Sequence, residues 1–282
     1  MRLAWVLPIP CLLALAAAPA APARVVEEVV TSGQVTATLT YDKRGPNQYR
    51  DFRVRIDRAG QTLVDEDVNR GCKEGEPCGY FPAFINAKEQ SISARDLDRD
   101  GEPEVHVTLY SGGAHCCTIS TIFGFDPDRG DYRRVRHNWL DAGYRLRDIG
   151  RDGTLEFDSR DARFAFAFAP YAASWMPVQI WRWRNGGLVD VTPRFPKLLR
   201  RDARRALRIY RRTRDDENAT IRGFLAGYAA DKYRLRERRS AHRMLRRALR
   251  RGDLRRSYRF ETGPFGRKYI KRLKRLLRRY GY

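Results

Sequence analysis

The hydrophobic pattern of the chain has two periods, divided near Pro196. Before it, Val35, Ala37 and Leu39 interleave with Thr36, Thr38 and Thr40, and Phe52, Val54 and Ile56 interleave with Arg53, Arg55 and Asp57. Alternation puts one set of side chains on a buried face and the other toward solvent, so both runs predict half-buried strands. The tight Arg58-Ala59-Gly60 link leads into a strand from Gln61 to Val64, and further strands are predicted over Val105 to Tyr110, Thr118 to Phe125 and Val178 to Trp183. Asn185-Gly186-Gly187, lying between Trp183 and Leu188, signals a hairpin, because Asn and Gly accept the positive φ such turns require. Short strands separated by Gly, Asp and Pro turns predict an antiparallel all-β domain over residues 24–195.

Beyond Pro196 the spacing becomes helical. Leu199, Ala203, Ala206 and Tyr210 share one face, as do Ala241, Leu245, Ala248 and Leu249. Phe265, Tyr269, Leu273, Leu276 and Tyr280 continue that spacing after a Gly263-Pro264 start signal. Three or four amphipathic helices are expected in residues 196–282, their apolar stripes packing on the β domain or on one another. The expected fold class is mainly β, with antiparallel, partial propeller-like repeats, followed by an α-helical C-terminal region.

Charge divides at the same point. The whole chain of 282 residues carries a net charge of +22. Residues 197–282 hold 31 Lys and Arg against 8 Asp and Glu, a net of +23, which leaves the remainder near neutral at −1. With 42% hydrophobic residues the chain can bury a core, which excludes a wholly disordered basic protein. The excess of charge therefore points the helical region alone toward anionic partners.

Met1 and Arg2 precede an apolar run from Leu3 to Ala18 that Pro8 and Pro10 interrupt, and Ala18-Pro19-Ala20 and Ala21-Pro22-Ala23 follow it. This is the pattern of a signal peptide over residues 1–23, cleaved near Ala20 or Ala23, and the run is shorter than the roughly 18 residues a membrane span needs. A secreted or extracytoplasmic mature chain is expected, with no transmembrane segment.

Export changes what the cysteines mean. Without Cys11, the mature chain keeps Cys72, Cys78, Cys116 and Cys117. An even number in an oxidising compartment predicts two disulfides, with three connectivities possible. Neighbouring residues of an extended chain point to opposite sides, which favours pairing of the GCKEGEPCG loop with the SGGAHCC loop over a Cys116 to Cys117 bond. A zinc site on His115, Cys116 and Cys117 is the competing reading, and oxidation of exported thiols disfavours it.

The most informative stretch is Asp96-Leu97-Asp98-Arg99-Asp100-Gly101-Glu102-Pro103-Glu104. Carboxylates at positions 1, 3 and 5, a Gly at 6, a backbone carbonyl at 7 (Glu102) and an acid at 9 supply the oxygen shell a hard cation such as Ca²⁺ takes. Position 12 is Val107, and strand-like alternation follows where an EF-hand would start a helix. Fifty-two residues later, Asp148-Ile149-Gly150-Arg151-Asp152-Gly153-Thr154-Leu155-Glu156 repeats the pattern with Gly150 in place of the second carboxylate. Asp148, Asp152, Thr154 and Glu156 would form a weaker second site, read as a structural turn.

These loops, each followed by a strand in an exported chain, resemble those of VCBS or FG-GAP repeat proteins, the integrin α N-terminal type. The resemblance is to the secreted bacterial form that pairs such a loop with an SGGAHCC-like segment, here Ser111 to Cys117. It covers about residues 85–195. It implies blades of antiparallel strands with Ca²⁺ held by Asp96, Asp98, Asp100, Glu102 through its carbonyl, and Glu104. A β region of this length makes only about three units, so a truncated or open assembly is expected in place of a full propeller.

No Gly-x-Ser-x-Gly elbow, phosphate-binding Gly-rich loop or His-Glu-x-x-His motif occurs, and the four histidines are scattered. Asp158 and Asp161 read as solvated acids. The expected function is a non-catalytic, calcium-binding repeat protein acting in binding or adhesion at the cell envelope, its basic region docking on an anionic polymer or lipid surface. One alternative is nucleic-acid binding, with Tyr210, Tyr228, Tyr233, Tyr258 and Tyr269 interleaved among the arginines. The other is a metal-assisted hydrolase, disfavoured because a Ca²⁺ ion saturated by protein oxygens leaves substrate no place.

Overall fold

The computed structural model describes residues 24–68, 80–83, 90–216, 220–255 and 263–282. The signal segment with both cleavage positions, and Cys72, Cys78 and Tyr258, lie outside the described residues.

Three antiparallel sheets follow one another along the chain. The first consists of β1 (Arg24–Ser32), β2 (Val35–Gly45), β3 (Gln48–Arg58) and β4 (Gln61–Asp67), in that order. The second contains β5 (Phe81–Pro82), β6 (Ile92–Arg95), β7 (Glu104–Tyr110), β8 (Thr118–Asp126) and β9 (Asp131–Leu140), with β5 and β6 both pairing β7. The third is β10 (Tyr144–Arg147), β11 (Glu156–Arg160), β12 (Val178–Arg184) and β13 (Gly187–Asp190). Among the described residues these sheets form an open series and close into neither a barrel nor a propeller.

The turns follow from their residues. Arg184 pairs with Gly187, so Asn185 and Gly186 alone span the hairpin, with φ of 51° and 70°. Two successive positive φ values give a turn whose twist matches that of the flanking strands, and Asn-Gly is its preferred pair.

Alternation becomes packing. Val35, Leu39, Phe52, Val54 and Ile56 of the first sheet share a core with Ile92, Val105, Val107 and Phe123 of the second. Leu97, Ile122, Trp139, Phe157 and Trp183 fill the next interface, between the second and third sheets. Val178, Ile180 and Val191 then meet Leu199 of the first helix, so the helical region continues the stack.

That region comprises α1 (Pro196–Thr213), α2 (Arg222–Arg234), α3 (Arg238–Arg251) and α4 (Gly266–Arg279). The expected faces of α1 and α3 are buried, at Leu199, Ala203, Ala206 and Tyr210 and at Ala241, Leu245 and Ala248. In α4 the seam runs through Tyr269, Leu273 and Leu277, while Leu276 and Tyr280, placed on it by sequence spacing, are only partly buried. The periodicity of α2 is faint because nearly every side of it is covered, including Gly223, Leu225, Ala226, Ala229 and Ala230.

The helices form a packed module, joined to the β region through Phe164 and Phe168, which enter the same core as Tyr269 and Tyr282. A Cβ added at Gly223 would run into the backbone carbonyl of Ala173 and lie 3.1 Å from Ser174 Cα. Backbone cannot rotate aside as a side-chain tip can, so Gly223→Ala is expected to cost about 1–3 kcal/mol. A fall in the urea midpoint at unchanged slope would register that cost. An unchanged midpoint would show that the 171–175 segment gives way.

Candidate metal centre

Both carboxylate loops are hairpin connections of the same kind. The first joins β6 to β7, where Arg95 pairs with Glu104, and the second joins β10 to β11, where Arg147 pairs with Glu156. Each begins with an Asp that folds the loop over itself. Asp96 accepts from the backbone N–H groups of Arg99 and Gly101, at 2.6 and 3.0 Å, and Asp148 from those of Asp152 and Gly153, at 3.1 and 3.0 Å. The fifth position accepts from the seventh in both, Asp100 from Glu102 N–H and Asp152 from Thr154 N–H. The ninth reaches back to the second, Glu104 to Leu97 N–H at 2.8 Å and Glu156 to Ile149 N–H at 2.7 Å. Arg99 and Arg151 occupy the left-handed region, with φ of 70° and 56°, and the glycines two residues later do likewise at 91° and 82°. The repeat read from sequence is therefore a repeat of backbone geometry.

Their side chains diverge. In the first loop Asp96, Asp98 and Glu104 each offer an oxygen, and these oxygens lie within 4.8 Å of one another. Asp98 Oδ1 is buried without a hydrogen-bond partner. Burial raises the Asp98 carboxyl above its ordinary range, and Asp100 and Asp96 add to the rise. Burial also pushes Glu104 up to about 8, against the Leu97 N–H and with the help of Asp98, Asp100 and Asp96. A hard cation would satisfy the orphaned oxygen and relieve the mutual repulsion, so these residues fit one. Asp100 is exposed at the edge of the loop and stands outside the triad, as does Glu102, whose Oε1 pairs with Arg58 at 2.7 Å.

In the second loop an arginine supplies the positive charge. Arg182, from β12, donates through Nε to Glu156 Oε1 at 2.9 Å, and its Nη2 binds both Glu156 Oε1 and Asp152 Oδ2. A Cβ added at Gly150 would lie 3.5 Å from that same Nη2. The position-3 carboxylate is missing where the guanidinium sits. Among the described residues, Asp148, Asp152, Thr154 and Glu156 form no carboxylate cluster of the kind seen in the first loop. Arg182 is the residue sequence reading missed, since it lies 30 residues from Asp152 and becomes its neighbour only through pairing of β11 with β12.

The loops also touch each other. Arg99 Nη1 donates to the Asp152 carbonyl, and Leu155 N–H donates to the Leu97 carbonyl at 3.3 Å. Leu97 is fully buried between the second and third sheets, which anchors the first loop in the core.

Other expectations fare differently. Cys116 is bonded to Cys117, so the cross pairing of Cys116 and Cys117 with the 72–78 loop does not form. The segment before the pair turns sharply: Gly112 and Gly113 have φ of 78° and 91°, a turn spans 114–115, and β8 begins only at Thr118. With both sulfurs joined, no thiolate remains for a zinc site with His115. Asp161 is buried, not solvated, held by three bonds from Arg163, one from its backbone N–H and two from its guanidinium, and by the Tyr282 hydroxyl. Of the tyrosines offered for base stacking, Tyr210 and Tyr269 are fully buried in the helical core, and Tyr228 and Tyr233 expose less than a tenth of their surface, too little for a base to stack on.

The chain is 34% identical over 147 residues to a probable thylakoid lumen protein of Synechocystis sp., a match covering 50% of this chain and 42% of that protein. It is 31% identical over 213 residues to an uncharacterized protein of Sinorhizobium fredii, covering 72% of this chain and 30% of that one. The chain thus spans less than half the length of these curated relatives. No protein-family model matches it. No solved structure matches it either.

Proposed function

We propose that the chain is an extracytoplasmic, non-catalytic binding protein of the VCBS or FG-GAP repeat type. In this reading the first loop holds one Ca²⁺ ion as a structural cation, and the helical module docks on an anionic polymer or lipid surface at the cell envelope. The similarity to a probable thylakoid lumen protein supports a location outside the cytoplasm. No described helix is long and apolar enough to cross a membrane. The paired loops at equivalent hairpins support the repeat reading, and the carboxylate triad with its orphaned Asp98 oxygen supports the cation.

The docking role rests on one observation above all. A groove of about 350 Å³ on the helical module is lined by Arg211, Arg243, Arg246, Arg247 and Arg250, with Leu207, Met244, Tyr228 and Ser240 between them and no acidic residue. Guanidinium groups gathered without counter-charges make a surface that attracts phosphate and carboxylate, and the attraction weakens with salt. Burial of the tyrosines makes nucleic acid the weaker candidate, since single-strand binders stack bases on exposed rings.

Truncation at residue 197 would strip the cover from Phe164 and Phe168, so the docking role has to be tested by substitution. Each arginine near an anionic bilayer contributes about 1 kcal/mol. The Arg243→Ala/Arg247→Ala variant is therefore expected to bind phosphatidylglycerol vesicles roughly 30-fold more weakly at low salt. Sedimentation with these vesicles at two salt concentrations reads the effect. Unchanged, salt-insensitive binding by the variant would remove this function from the groove.

A further inference from the structure

A second cleft, sharing no lining residue with that groove, lies where the third sheet meets α1 and has a volume of about 460 Å³. Arg145, Arg147 and Arg160 reach it from β10 and β11, and Arg201 and Arg205 from α1. Local geometry brings them together. Arg145 and Arg147 stand two apart on a strand, hence on one face, and Arg201 and Arg205 stand four apart on a helix, hence one above the other.

Two carboxylates line the same cleft, and each is already engaged. Asp158 accepts from Arg147 at 3.0 Å through Oδ2. Asp202, nearly fully buried, accepts from Arg160 at 2.6 Å and from the Trp175 indole N–H at 2.9 Å. These pairs fix the floor and consume two of the five guanidinium groups. Arg145 and Arg201, both exposed, have no carboxylate partner among the described residues, and Arg205 lies over the Trp175 ring at 5.7 Å. The cleft therefore keeps three cationic groups converging from two elements. It also keeps an acceptor, because Asp158 is bound to Arg147 through one oxygen only.

That combination selects a chemistry. Arginines alone would suit any bare anion, but a carboxylate beside them repels an anion that brings no hydrogen-bond donor. A ligand with one anionic group and neighbouring hydroxyls satisfies both sets. We propose that this cleft binds an anionic saccharide unit, its phosphate or carboxylate held by Arg145, Arg201 and Arg205 and a ring hydroxyl donating to Asp158. This site is independent of the docking groove and of the cation loop.

Isothermal titration of the full chain with glucose 6-phosphate, glucuronate, glucose and inorganic sulfate, an anion without an O–H donor, tests it. Binding of one or both charged sugars, with glucose silent and sulfate at least tenfold weaker, is the expected result, and the tighter of the two charged sugars identifies the anionic group as phosphate or carboxylate. Arg145→Ala/Arg201→Ala should weaken that binding tenfold or more. Both positions are exposed, so circular dichroism and melting temperature should match the parent protein. Arg243→Ala/Arg247→Ala, in the other groove, should leave it unchanged, which separates this site from failure of the docking reading. Asp158→Asn should weaken the charged sugar without weakening sulfate. Absence of binding at millimolar sugar, sulfate binding as tightly as the sugar, or equal losses from both arginine pairs would overturn the proposal.

Discussion

Calcium in hundredfold excess over its dissociation constant is expected to stabilise the protein by about 2.7 kcal/mol, because a ligand that binds only the folded state shifts the unfolding equilibrium by mass action. For a chain of this size that corresponds to a melting temperature higher by roughly 5–10 °C. A chelator should reverse the shift. Magnesium should give a smaller one, since it requires near-ideal octahedral geometry and gives up its water reluctantly. Asp98 is the residue to change. Its Oδ1 is a buried oxygen without a partner, and the loop keeps the backbone hydrogen bonds to Asp96 and Asp100 when the Asp98 carboxyl is removed. Asp98→Ala should therefore abolish the calcium shift while leaving the protein folded without calcium. A full shift in that variant would move the cation away from the 96–104 loop.

The second expectation concerns the loop that has no need of a cation. Glu156 is fully buried, and Arg182, itself mostly buried, is its charged partner. Removing one member of a buried pair leaves the other uncompensated, and such losses run to about 3–5 kcal/mol. Arg182→Ala should lower the urea midpoint accordingly. Because Gly150 lies against the Arg182 guanidinium, the double variant Gly150→Asp/Arg182→Ala replaces the arginine with space and restores the missing carboxylate. Gly150 is absent from the positive-φ positions, so Asp fits the backbone there. The double variant should regain stability on addition of calcium, and Arg182→Ala alone should regain less. A neutral Arg182→Ala would show that Glu156 does not depend on this partner.

How much of this could be read from the chain follows a physical line. Features carried by neighbours in sequence were legible. Thr36 to Leu39 alternate because one face of β2 is core, and Asn185-Gly186 turns because both residues take positive φ. The first carboxylate loop was legible for the same reason, its acids lying within nine residues. Features assembled by tertiary contact were not. Arg182 as the internal cation needs the β11 and β12 pairing, and the arginine cleft draws on positions from 145 to 205. Strand β9 was missed because both its faces are partly covered and its DYRRVRHNWL sequence shows no clean alternation. Helix α2 was missed for the opposite reason, being buried on almost every side and so lacking a polar face to mark its period. The buried tyrosines show the same limit, since aromatic and basic residues mixed in a helix read alike whether the ring faces core or solvent.

The contact between the two loops carries one more consequence. Arg99 and the Leu155 to Leu97 hydrogen bond tie the hairpin of the second sheet to that of the third, across the interface where Leu97 is buried. Local openings of a protein follow such ties, and segments that must separate together exchange their amide hydrogens together. The Leu97 and Leu155 amides, 58 residues apart by sequence, should therefore exchange at matching rates and slow in step as calcium is added. Mass spectrometry of exchanging peptides would then see two sheets respond to an ion proposed for only one of them.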